Sequence, residues 1–391
     1  LILQAPIVSF VDKTLGDAVN RKASDILIEP QETKLRIRFR IDGILQPVRE
    51  NPKSMIALVV SRLKVISALN ITEHRLPQDG RFKMKFGERE VDFRVSVLPS
   101  IFGEKVAIRI LDKAQVKLAL DGLGFQEKAL SDLKGCAMRP YGMILVCGPT
   151  GSGKTTTLYS LIKLVDKPRV NIITVEDPVE FQLPGINQVS VHSDIGLTFA
   201  AALRSILRQD PNVIMVGEIR DSQTVDIAIK SALTGHLVFS TLHTTTAGAA
   251  PVRLINMGIE PFLINSAVSC IVAQRLVRVL CQKCKQAYEL KDDIAEKLKL
   301  RLSQDGPYMF YRPKGCAGCF NSGYSGRTLL VEVLLLSPKI KGLVMNKAQE
   351  HIIKQAARQE GMQTLREDGI VKAMRGITSL EEVLRVSASD Q

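Results

Sequence analysis

The sequence predicts an α/β protein. A parallel sheet wrapped by helices carries a phosphate loop, a smaller mixed α/β domain precedes it, and a tetracysteine lobe interrupts it. Three observations predict this. The run Gly148-Pro149-Thr150-Gly151-Ser152-Gly153-Lys154-Thr155 fits GxxxxGK[ST], with an apolar stretch at 143–147 before it and helical spacing after it as far as Leu164. From Phe125 onward, strand-like and helix-like patterns alternate, as they do when helices cover both faces of a parallel sheet. Two CxxC pairs, Cys281 with Cys284 and Cys316 with Cys319, mark a separate metal-ligand lobe.

Residues 1–119 form the smaller domain. Over 35–41, Leu35, Ile37, Phe39 and Ile41 face one way and Arg36, Arg38 and Arg40 the other, which is a half-buried strand. Asp42-Gly43 turns the chain into a second strand. Phe82, Met84 and Phe86, a turn at Gly87, and Val91, Phe93, Val95 and Val97 make another hairpin with Arg94 on its polar face. The run 106–110 closes the domain and carries Arg109 among apolar neighbours. The segment is basic in its own right, and a solvated strand face explains Arg36, Arg38 and Arg40 as well as a ligand does. Asp121-Gly122-Leu123-Gly124 reads as a hinge, placing a linker at 120–124 and the larger domain at 125–391.

In the larger domain the expected strands are 143–147, 171–175, 213–216 and 237–240. Polar, chemically able residues follow each of them, at the edge where an open parallel sheet collects ligands. The tetracysteine lobe spans about 281–327, and 328–391 is expected to be a largely helical tail.

At 391 residues the chain is long for one core, so at least two domains are expected. No apolar run is long enough to span a bilayer. The chain starts Leu1-Ile2-Leu3 without methionine or an export leader, which reads as a trimmed start. Seven cysteines, an odd number, suit a reducing compartment and a metal better than a disulfide framework, which places the protein in the cytoplasm. The net charge of +13 fits nucleic acid, anionic lipid or an arginine-rich nucleotide site.

The loop aims backbone N–H groups and the positive end of a helix at a polyphosphate, so a nucleoside triphosphate is the expected ligand. Its glycines allow close backbone approach, Lys154 reaches the β- and γ-phosphates, and Thr155, followed by Thr156, can join the shell of Mg2+. Glu218, in Gly217-Glu218-Ile219-Arg220-Asp221, stands where a phosphate-loop ATPase polarises water or holds magnesium. Gly217 replaces the usual aspartate, so the metal must lean on Thr155 and another acid, with Glu176, Asp177 and Glu180 available. Arg204 and Arg208, four apart in the helical run 198–208, share one face and so fit a bound anion or an acidic partner helix. His236 and His243 bracket the strand at 237–240, where either a γ-phosphate sensor or a structural role fits. The four paired cysteines complete a tetrahedral set that suits structural Zn2+, while Cys136, Cys147 and Cys270 read as ordinary buried residues.

Several segments carry a family likeness. Ala23-Ser24-Asp25, Phe39-Arg40-Ile41-Asp42-Gly43 and the ending Gly376-Ile377-Thr378-Ser379-Leu380-Glu381-Glu382-Val383 are among them. The run from Ile173 to Glu180 resembles an aspartate box, Arg208-Gln209-Asp210-Pro211 through Asp221 an atypical Walker B, and the run from Thr234 to Thr244 a histidine box. Together they resemble the secretion ATPases that power type II secretion and type IV pilus assembly. The resemblance implies a RecA-like ATPase domain, a PAS-like N-terminal domain, and a homohexameric cytoplasmic ring, peripheral at the inner membrane, that docks on a platform protein there. It implies ATP between the two domains, met by Arg94 and Arg109 from the small one and by Arg204, Arg208, Arg220 and Arg253 from the other. Glu218 would be the catalytic carboxylate, Glu176 an assistant with magnesium, and His236 and His243 neighbours of the nucleotide.

Members usually carry a further N-terminal docking domain. Many have histidine where Leu27 stands and a different pair at Thr245-Thr246. The tetracysteine lobe favours the assembly and export branch over pilus-retraction motors. The rival reading is a ring ATPase that translocates nucleic acid. Against it, Trp is absent, aromatics are 5%, and no basic stretch offers bases a stacking platform, so no nucleic-acid partner is expected.

Overall fold

The computed structural model describes residues 4–112, 118–291, 296 and 308–387. The expected start at Leu1-Ile2-Leu3, the rest of 292–307 within the tetracysteine lobe, and 388–391 of the tail lie outside the described residues. The chain divides into two compact units, Leu1–Val116 and Lys117–Gln391.

The first unit runs α1 (Gln4–Asn20), β1 (Ala23–Pro30), β2 (Lys34–Ile41), β3 (Ile44–Pro52), α2 (Met55–Ile66), β4 (Gln78–Phe86), β5 (Arg89–Ser100) and β6 (Gly103–Leu111). Its sheet has the order β3-β2-β1-β6-β5-β4 and is antiparallel throughout. The strict alternation of β2 buries Leu35, Ile37 and Phe39 with Phe93, Val95 and Ile108, and Leu15 of α1 and Leu63 of α2 close the same core. Period-two patterning therefore sends every odd position of β2 inward and leaves its arginines on the open face.

The second unit contains α3 (Glu127–Ala137), β7 (Gly142–Cys147), α4 (Lys154–Val165), β8 (Ile172–Glu176), β9 (Asn187–Ser190), α5 (Phe199–Ile206), β10 (Val213–Val216), α6 (Ser222–Leu233), β11 (Leu237–Leu242), α7 (Ala249–Asn256) and α8 (Pro261–Ala267). It continues with β12 (Val268–Leu280), β13 (Gln286–Glu289), β14 (Met309–Arg312), β15 (Tyr324–Leu335), α9 (Pro338–Met345), α10 (Glu350–Gln359), α11 (Leu365–Met374) and α12 (Leu380–Val386). Seven strands form one sheet in the order β15-β12-β7-β11-β10-β8-β9, parallel except where β15 meets β12. β7, β8, β10 and β11 are buried along their whole length because helices cover both faces, which is why they read as unbroken apolar runs.

Two expectations are corrected. Residues 328–335 are not helical: they belong to β15, the antiparallel edge strand, and the helical tail begins at Pro338. The apolar run of β15 pairs with β12, a long strand for which the sequence patterns offered no candidate. The expected hinge at 120–124 is folded into the second unit. Leu120–Gly122 is a 3-10 turn, Leu120 is buried, and Leu123 accepts a hydrogen bond from the Leu329 N–H at 3.1 Å. The tail is tied to the edge strand by Asp368, whose carboxylate takes the Val331 N–H at 2.8 Å and the Lys372 ammonium at 2.7 Å, both buried.

Candidate nucleotide site and tetracysteine centre

The phosphate loop joins β7 to α4 at the carboxyl edge of the parallel strands. Gly148 there has φ +151°, and a Cβ on it would lie 2.7 Å from the Gln274 carbonyl oxygen and 2.5 Å from Ser152 Oγ, so only glycine fits. Lys154 folds back over the loop, donating to the carbonyls of Gly148 at 2.8 Å and Pro149 at 3.1 Å, and burial pushes its ammonium pKa down. Both bonds are to carbonyls of its own loop, which an incoming phosphate can replace with a stronger charge-assisted partner.

β12 holds the loop from the side. Gln274 is fully buried, donates to the Ser152 carbonyl at 2.8 Å and accepts from Thr157 Oγ1 at 2.9 Å, so one amide links β12, the loop and α4. Its neighbour Arg275 donates to the carbonyls of Gln274 at 2.9 Å and Thr245 at 2.7 Å, and burial lowers its pKa. Neither residue belongs to any motif singled out in the sequence. The tertiary pairing of β12 with β7 brings them here, and no local pattern announces it.

Glu218 follows β10 and is partly buried. Its carboxylate pairs with the Arg220 guanidinium and lies 3.2 Å from His243 Nε2, and Arg220 also stands 3.6 Å from Asp177. Burial alone would push the Glu218 carboxyl up, but Arg220 and then His243 outweigh it and hold it below the usual carboxylate range. The strand end is pinned by Ser240 Oγ to the Val216 carbonyl and by Thr241 Oγ1 to the Gly217 carbonyl, both at 2.7 Å. A Cβ at Gly217 would press on the Val175 carbonyl at 3.2 Å and Glu176 Cα at 3.3 Å, which explains why no aspartate precedes Glu218.

Two expected site residues lie elsewhere. His236 precedes β11 at its amino end, where Nδ1 is 3.0 Å from the Ser231 carbonyl and the His236 carbonyl takes the Gly142 N–H. A strand of this length separates it by about 20 Å from the edge that carries His243, so its ring serves the α6–β11 turn. Glu176, expected to assist magnesium, is 3% exposed and takes hydrogen bonds from Tyr159, Thr174 and Gln188, so its carboxylate is spent inside the core. Asp177, the next residue, is the exposed acid at that strand end.

Arg208 does not share a helix face with Arg204. It sits beyond the end of α5 and caps it, donating to the Arg204 carbonyl at 3.0 Å and to Ser205 Oγ at 3.2 Å. Arg204 and Arg253 stand exposed on α5 and α7 with no ion pair among the described residues.

In the first unit the polar sheet face carries its own array. Arg81, Arg94, Arg109, Asp25 and Arg40 are successive cross-strand partners on β4, β5, β6, β1 and β2. Asp25 lies 3.4 Å from Arg109 and 3.3 Å from Arg40, which leaves the row strongly positive. Like charges directly opposite one another are unfavourable without an anion between them. Arg36 and Arg38 differ in both pairing with one buried acid: Glu29 lies 3.2 and 2.8 Å from them and 3.4 Å from Lys105.

In the lobe after β12, the four cysteine sulfurs lie within 4.8 Å of one another, with separations of 3.9 Å for Cys281–Cys316, 3.8 Å for Cys284–Cys319 and 3.7 Å for Cys316–Cys319. A tetrahedron with zinc–sulfur bonds of about 2.3 Å has sulfur–sulfur edges of roughly 3.8 Å, so the set fits zinc. The N–H groups of Cys316 and Gly323 both point at Cys319 Sγ, at 3.2 Å. Although burial raises that thiol, these donors help bring it to about 7, favouring the thiolate that a metal needs.

A parallel sheet with a lysine-bearing phosphate loop after β7 and a carboxylate after β10, two strands away at the same edge, defines a phosphate-loop ATPase. Residues 3–385 match the family described as Type II/IV secretion system protein. The chain belongs to that family. It is 50% identical over 390 residues to the type IV pilus assembly ATPase PilB of Myxococcus xanthus, covering 99% of this chain and 69% of that one. It is 48% identical to the type II secretion system protein E of Pseudomonas aeruginosa, covering 99% and 76%. Among solved structures it resembles the pilus retraction motor PilT with bound ADP, at 26% identity and a TM-score of 0.61, over 96% of each chain. Among the described residues no helix is long and apolar enough to cross a membrane.

Proposed function

We propose that this ATPase powers assembly of a type IV pilus or of a type II secretion pseudopilus. The observation that carries the chemistry is Glu218, kept ionised by Arg220 and His243 and close enough to Lys154 to act on its charge. Residues 148–156 hold the triphosphate of ATP, Thr155 holds Mg2+ with Asp177 or Glu180, and Glu218 orients the attacking water. His243 and Arg220, already bonded to Glu218 and to each other's partner, report whether the γ-phosphate is present.

The arginine row of the first unit, Arg94 and Arg109 foremost, offers positive charge of the kind a triphosphate needs. In a homohexamer, Arg204 and Arg253 are free to serve a neighbouring copy. The ring would work in the cytoplasm against a platform protein of the inner membrane, with zinc as a structural clamp.

Replacing Arg94 or Arg109 by Ala should cut turnover by about 10²-fold or more while ATP still binds the loop. Phosphate release at the wild-type rate would demote the row to surface charge. For the cellular role, deletion of the gene should remove surface fibres or stop secretion of exported enzymes. A deletion strain normal in both would sink the assignment.

A further inference from the structure

The scheme above leaves the buried Glu176 unused, and its surroundings are those of a joint. Glu176 is the last residue of β8. Its Oε2 accepts from the Tyr159 hydroxyl, and its Oε1 from Thr174 Oγ1 at 2.6 Å and from Gln188 Nε2 at 3.0 Å. Tyr159 belongs to α4, the helix that begins at Lys154, and its buried ring packs edge-on against Phe181 with centroids 4.6 Å apart. Gln188 belongs to β9 and also accepts from the Leu183 N–H at 2.7 Å. One carboxylate thus gathers the phosphate-loop helix, two sheet strands and the segment after the acidic turn.

All three donors are neutral, and no cation pairs with Glu176 among the described residues. A carboxylate in such a place is tolerated only while every donor stays put, because each lost hydrogen bond leaves buried charge undercompensated. The arrangement therefore resists sliding of α4 along β8. Both ends of the joint lead to chemistry: α4 starts at the lysine of the loop, and β8 runs directly into Asp177, which faces Arg220 and through it Glu218.

We propose that Tyr159 and Glu176 are positioning residues that hold the phosphate-loop helix in register with the acidic turn at 177–180, and that Glu176 is not a magnesium ligand. The claim rests on the hydrolysis reading given above. If it holds, the pair governs where the acids stand relative to a bound γ-phosphate, not how tightly ATP binds.

The test compares Tyr159→Phe, Glu176→Gln and the double variant of the full chain. The measurements are kcat, KM for MgATP, half-saturation by Mg2+ and melting temperature. Tyr159→Phe keeps the ring on Phe181 and removes only the hydroxyl, so it reports even if Glu176→Gln folds poorly. Each single variant should lose about tenfold or more in kcat, as expected when reacting groups are slightly misplaced. KM and the magnesium requirement should stay within about twofold, and the double variant should be no worse than the poorer single one, since both act through one contact.

Three results would overturn the proposal. One is a magnesium requirement raised by Glu176→Gln while Tyr159→Phe is silent, which makes Glu176 a ligand. Another is a lowered melting temperature with kcat unchanged in Tyr159→Phe, which makes the contact merely structural. The third is additive losses. A wild-type chain without turnover would overturn the hydrolysis reading as well, and that control is measured before any variant.

Discussion

Glu218→Gln is expected to lower ATP turnover by about 10²–10⁴-fold, the usual worth of a positioned general base, while ATP binding is retained. Binding survives because the loop's own backbone and Lys154 do not depend on the carboxylate, whereas orientation of water does. The glutamine keeps the shape and can still meet His243 and Arg220, so the loss reports chemistry and not collapse. The pH dependence follows from the same contacts. The Glu218 carboxyl is held below its ordinary value, so the group remains ionised as pH falls through the usual carboxylate range, and its contribution to turnover is lost only at still lower pH. Phosphate release across an acid pH series, together with nucleotide binding by the variant, checks both statements. Turnover near the wild-type level in Glu218→Gln would remove this residue from the mechanism.

The second large effect concerns the metal. One zinc per chain is expected by elemental analysis of protein purified without chelator, and Cys284→Ser or Cys319→Ser should abolish it. Structural zinc binding is worth about 10–16 kcal/mol in small sites, as much as or more than the whole stability of a typical domain. Among the described residues the cysteines sit in turns beside the two-stranded β13–β14 sheet, whose Phe310 is buried against the tail helices with Leu365 and Leu380, so loss of the metal should free chiefly the cysteine turns. Amide exchange in the cysteine turns, 281–285 and 316–323, should rise steeply in either variant and more than in β13 and β14, while β7, β10 and β11 keep their protection. A metal-free wild-type protein with those turns protected would refute the zinc assignment.

Much of the site was legible because its elements announce themselves locally. The loop between Gly148 and Thr155 needs fixed residue types at fixed spacing, and the apolar strands before Glu218 and His243 are buried on both faces. The cysteine pairs were equally plain. Three things were not. The stretch 328–335 of β15 reads as the start of a helical tail, because it is buried at every position from Leu329 to Leu334 and a nearly continuous apolar run suits either state. Gln274 and Arg275 carry no motif and reach the loop only through strand pairing. Glu176 sits in an acidic box beside Asp177, and adjacent residues on a strand point to opposite sides, so one acid faces the core and the next faces solvent.

The row of cross-strand arginines sharpens the same contrast. Arg94, on a polar strand face, and Arg109, among apolar neighbours, are expected at the nucleotide by the family resemblance, but Arg81 and Arg40 extend the row, and only register reveals it. The same register sets buried Glu29 between Arg36 and Arg38.

By itself the sequence determined that a phosphate-loop α/β unit follows a basic mixed domain, with Glu218 as the candidate acid and four cysteines spaced to suit a metal. Those signals depend on short spacings that any fold of the chain must respect. Only the tertiary structure decided which arginines pair with a buried acid, which histidine and which acid stand at the carboxyl edge of the sheet, and that β12 braces the loop. Each of these depends on strand register and on the direction of parallel strands, and both are set by contacts between residues far apart in the chain.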